Sequence, residues 1–143
     1  MLPIIETPTF EIELPSSGEI KRFRPFLVKE EKILMLASEG GEFVDMISAC
    51  EQVVSNCSLE DINAGKLSIF DLQHIFMRLK EKSIGSTQEF TLICGGCEDK
   101  IKYTLELKDV KVQGLEDQAD SIIKVNDDVA IELEYPSAKT MLG

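Results

Sequence analysis

Apolar residues recur at helical spacing through the middle of this chain and then, after Ser86, at a spacing of two. That change of period most restricts the fold, since a helical stripe cannot serve as a strand face or the reverse. Val28 to Ser38 carries Ile33, Leu34, Leu36 and Ala37 on a broad apolar side, and Gly40-Gly41 breaks the pattern. From about Glu42 to Asn56 the residues Phe43, Met46, Ile47, Cys50, Val53, Val54 and then Cys57 form an amphipathic stripe. Ser58 to Leu67 is a polar loop with a turn at Ala64-Gly65. A third helix opens at Ser68, where the hydroxyl caps and Asp71 meets the positive helix end. Its stripe is Ile69, Leu72, Ile75, Phe76 and Leu79, and Gly85 follows its end.

Strand signals flank the helices. Phe10-Glu11-Ile12-Glu13-Leu14 alternates apolar with acidic, Pro15 to Gly18 is turn chemistry, and Glu19 to Phe26 reads as the returning strand, limited or ended by Pro25. Glu89 to Ile93 and Ile101 to Leu107 read as strands, with Ile101, Tyr103, Leu105 and Leu107 on one face. Shorter strand-like runs are Val110 to Val112, Ile122 to Val125 and Val129 to Tyr135, with Asn126-Asp127-Asp128 turning between the last two. The expected class is α+β: an N-terminal β-hairpin (1–28), about three helices (29–85), a C-terminal antiparallel β region (86–136) and a tail (137–143). A length of 143 residues fits one domain.

Charge narrows the partners. Twenty-six acids against 15 bases give a net charge of −11, which repels phosphate backbones and anionic lipid. Nucleic acid and membrane are therefore not expected partners, and no apolar run reaches the roughly 20 residues that span a bilayer. Positive charge gathers in Lys21-Arg22-Phe23-Arg24, read as an outward strand edge, and around Arg78, Lys80 and Lys82, read as a helix C-terminal turn. The N-terminus has neither a basic region nor a small-residue cleavage site, so a cytosol is the expected compartment.

Catalytic candidates are few. His74 is the single histidine, on the third helix beside Ile75, and a triad or a histidine-rich metal site needs more than one such group. There is no G-x-G-x-x-G, and Gly40-Gly41 lacks a following phosphate-holding lysine. The acids are spread over polar faces, so no pair stands out.

Four cysteines remain, and Cys94-Gly95-Gly96-Cys97 lies between two strands. Three readings stand. A redox pair requires the motif to open a helix, whereas Ile101 to Leu107 alternates as a strand. A structural zinc needs four ligands. Cys50 and Cys57 lie about 10 Å apart along one helix at about 1.5 Å rise per residue. Zinc–sulfur bonds of about 2.3 Å allow sulfurs no more than about 4 Å apart, so only one of the two joins Cys94 and Cys97. Cys57, where the helix frays, is the better candidate, with His74, Glu98, Asp99 or water as a fourth ligand. In the third reading Cys50 and Cys57 are core residues, and Cys94 and Cys97 are metal-free thiols at a hairpin tip.

Several stretches carry a resemblance. These are Leu2-Pro3-Ile4-Ile5-Glu6-Thr7-Pro8, Leu14-Pro15-Ser16-Ser17-Gly18, and Arg22-Phe23-Arg24-Pro25-Phe26-Leu27-Val28-Lys29-Glu30-Glu31-Lys32. Ser55-Asn56-Cys57, the helix from Phe70 through Arg78 to Gly85, and the Cys94/Cys97 pair agree. Together they resemble the T4-type bacteriophage baseplate hub and hub-assembly family. The resemblance implies a non-enzymatic tail protein that binds other baseplate hub proteins. It also implies assembly in the host cytoplasm or residence in the tail baseplate. The cysteine spacing, separately, sets the cofactor expectation at none or a structural zinc on Cys94, Cys97 and Cys57. The competing expectation is a zinc-stabilised adaptor unrelated to phage tails.

Overall fold

The computed structural model describes residues 7–116 and 121–142, so Leu2 to Glu6 and Gly143 lie outside the described residues. The class is α+β, with helices and three two-stranded antiparallel sheets among the described residues. Strands β1 (Phe10–Glu13) and β2 (Ile20–Phe23) form the first hairpin, with Ile12 opposite Lys21 and Phe10 opposite Phe23. Their turn is docked by the Ser16 amide, which donates to Asp71 Oδ1 at 3.0 Å.

Helix α1 (Val28–Gly40) begins where Glu30 reaches back to accept the Leu27 amide at 2.8 Å, satisfying one of the unpaired donors of the first turn. It stops at Gly41, which takes the left-handed φ of 72° that a side chain resists. Helix α2 (Phe43–Cys57) buries Ile47, Val53, Val54 and Cys57, while Phe43 at the start of the expected stripe is exposed. Helix α3 (Ile69–Ser83) opens on the expected cap, with the Ser68 hydroxyl accepting the Asp71 amide at 3.2 Å. Leu72, Ile75 and Leu79 point inward and join Phe23, Val53, Val54 and Cys57 in the core. Burying each such large side chain is worth about 1.5–3 kcal/mol.

The C-terminal segment returns to this core. The Ile69 amide donates to Pro136 O and the Ala138 amide to Leu67 O, and the expected tail forms a short helix, α4 (Ala138–Leu142), with Ala138 buried.

Two hairpins complete the described chain. Strands β3 (Thr87–Ile93) and β4 (Lys100–Glu106) pair along their whole length, and β5 (Ile122–Lys124) pairs with β6 (Ala130–Glu132). The strand expected at Val110 to Val112 does not form: Leu107–Asp109 is a single 3-10 turn and the following residues are irregular. The reason lies on α3. Arg78 fans its guanidinium onto the carbonyls of Leu107 and Val110 at 3.2 and 2.6 Å, which occupies acceptors a strand would have paired. Arg78 is thus a strut between α3 and the hairpin base, beyond the dipole-complementing cation expected of it.

Candidate functional site

Candidate residues fall in three places. The first is the joint of β2, α1 and the end of α2. Arg24, expected on an outward edge, turns inward. Its Nη2 donates to Glu30 Oε1 at 3.1 Å and to Asn56 O at 2.7 Å, while its backbone amide donates to Cys57 O at 2.9 Å. Glu30 is fully buried. Burial pushes its carboxyl up, but the Arg24 guanidinium and the Leu27 amide outweigh that and hold it below the usual carboxylate range. Arg22 does face outward, on Glu60 at 3.3 Å.

This joint settles the position of Cys57. The α2 end does not fray there, because Arg24 fastens the carbonyls of Asn56 and Cys57 and Ser58 bridges to Phe23. Cys57 is 0% exposed within the core, and burial pushes its thiol up to about 11. Cys50 is half-buried on the same helix, its thiol likewise raised to about 11 by burial.

Cys94 and Cys97 occupy the second place, the tip of the β3–β4 hairpin. The turn is closed by the Cys94 amide on Asp99 O at 2.9 Å and the Glu98 amide on Cys94 O at 3.0 Å. The left-handed residue is Glu98, φ 59°, rather than either glycine. The backbone amides of Gly96 and Cys97 and the Cys97 thiol point hydrogen bonds at the Cys94 sulfur, holding that thiol below its usual value. The Cys97 thiol donates to Asp99 Oδ2 at 3.4 Å. Among the described residues no three His, Cys, Asp or Glu side chains converge on a metal-sized site, so Cys57 is not brought together with Cys94 and Cys97. His74 is half-buried on α3, its imidazole held below the ordinary value by burial and by Arg78.

The third place gave no sharp sequence signal as a site. Pairing of Phe90 with Tyr103, Leu92 with Ile101 and Gln88 with Leu105 puts five apolar side chains on one face of the β3–β4 ribbon. Phe90, Leu92, Ile101 and Tyr103 are all exposed. Ile122, Ile123 and Ile131 of β5 and β6 are exposed as well. The alternation in Ile101 to Leu107 was visible, but a strand face that packs on its own core and one that awaits another molecule have the same pattern.

The family described as T4 bacteriophage base plate protein matches residues 7–142. The chain belongs to that family. Comparisons with curated proteins and with solved structures gave no match. The T4-type resemblance is therefore shown, and the adaptor unrelated to phage tails is set aside. The chain is a baseplate protein of a phage tail, from a structural family and not an enzyme class. No helix among the described residues is long and apolar enough to cross a membrane.

Proposed function

We propose that this baseplate protein is a hub component or hub-assembly factor that acts in the host cytoplasm by binding other hub proteins, without catalysis. The observation that carries the binding role is the apolar face of the β3–β4 ribbon. A two-stranded hairpin is marginal alone in water, and a strand face built from Phe90, Leu92, Ile101, Tyr103 and Leu105 stabilises it only when covered. The 21–24 strand edge, the 58–67 loop and the 137–143 tail fit that role less well, because the chain uses parts of each internally. Arg24 is inside the fold, the 58–67 loop is tied through the Leu59 amide to Arg22 O, and the tail packs as α4.

The test is genetic and structural. Cells infected with phage lacking this chain are expected to accumulate baseplates without a completed hub. Normal tails in its absence would overturn the proposal. A mass-spectrometric inventory of finished wild-type tails then divides the two roles: a retained chain is a hub component, a chain required but not retained an assembly factor.

A further inference from the structure

We propose that Cys94 and Cys97 are one half of a zinc site that a second copy of this chain completes, so that zinc bridges two hairpin tips. Four observations lead there. The two thiols share one exposed turn three residues apart, so both can reach one metal without moving a strand. The turn is already closed as a tight knuckle, with the Cys94 amide on Asp99 O and the Glu98 amide on Cys94 O.

Ligand count is the third observation. Cys57 is enclosed in the core, Cys50 lies on the same helix, and no further His, Cys, Asp or Glu among the described residues completes a group of three. A closed zinc site takes four ligands, and among the described residues this turn supplies two of them. A second copy related by a two-fold axis supplies two identical thiolates, giving a four-sulfur tetrahedron. Fourth, Gly95 and Gly96 leave the tip open: a Cβ built on either meets nothing within 4 Å, so a second turn has room to approach. Binding one Zn²⁺ replaces four thiol protons, which pass to solvent, and involves no change of oxidation state.

The full chain, reduced and stripped of metal, is titrated with Zn²⁺ while sedimentation equilibrium follows its mass. The expected result is a doubling of mass at one zinc per two chains, reversed by chelator, with cobalt in place of zinc giving the absorption of a tetrahedral thiolate site. Cys94→Ser and Cys97→Ser are each expected to abolish uptake and doubling together, with the far-ultraviolet circular dichroism of the metal-free chain unchanged because the tip is exposed. Cys50→Ser is expected to bind zinc as the parent does. Zinc should also protect Cys94 and Cys97 from alkylation together. One zinc per monomeric chain, uptake that survives Cys94→Ser, or no uptake by thiols verified as reduced would each overturn the proposal.

Discussion

At the residue scale, Arg24 and Glu30 form the least forgiving contact. Removing one member of a buried pair strands the other, at a cost of about 3–5 kcal/mol when burial is complete. Arg24 keeps 15% of its side chain exposed, so Glu30→Gln or Arg24→Ala should cost about 2–3 kcal/mol in urea unfolding. The double change should cost less than the two single changes added together. The sign with pH follows from the depressed Glu30 carboxyl. Its contribution is fully present above the ordinary carboxyl value of 4.5 and is lost as pH falls through the lower folded value. Unfolding followed between pH 6 and 3 should therefore show the parent losing stability that Glu30→Gln never had. Thiol reactivity reports the same packing. Under native conditions an alkylating reagent should modify Cys94 before Cys50, and Cys57 only after unfolding, read by peptide mass. None of the inward turn of Arg24 was legible in the sequence. Alternation placed Arg22 and Arg24 on one strand edge, whereas the ion pair depends on where α1 and the end of α2 lie in space.

At the scale of elements, the three main helices and the paired strands were readable because each kept one period over several residues, whether or not the face it made is buried. Ser68, Gly41 and the stripe Leu72, Ile75, Leu79 stand where the pattern put them. The C-terminal run was not readable as α4, because Ala138–Leu142 is too short to show a helical period. Nor was the loss of the Val110 strand, since Arg78 and the carbonyls it binds are about thirty residues apart in sequence. The Arg78 strut makes its own prediction. Arg78→Ala should speed amide exchange in residues 86–110 and leave α2 and α3 protected, because it removes the hairpin's anchor and not a core side chain. Uniform loss of protection across the helices would contradict that assignment. By contrast, Ile75→Ala should lower global stability by about 3 kcal/mol in urea unfolding, since Ile75 is fully enclosed.

At the scale of the whole molecule, a packed helical body with its N-terminal hairpin carries a ribbon whose apolar face the described residues leave open to solvent. The body accounts for stability and the ribbon, under the proposed function, for binding, so the two should separate under mutation. Phe90 and Leu92 are the residues to change, because they are exposed in the free chain and placing polar groups there leaves the core intact. The shared turn of Cys94 and Cys97 at the ribbon's tip was legible, and the place of Cys57 was not. Cys57 shares a sequence pattern with a metal ligand at a fraying helix end, and only the fastening by Arg24 shows that it is core. The most direct measurement is a pull-down of the chain against the hub proteins of its own phage, singly and in combination, with Phe90→Ser/Leu92→Ser alongside. The expected result is capture of at least one hub protein by the parent, and at least tenfold weaker capture by the double variant at unchanged urea midpoint. Failure of the parent to associate with any hub protein, alone or in combination, would contradict the account.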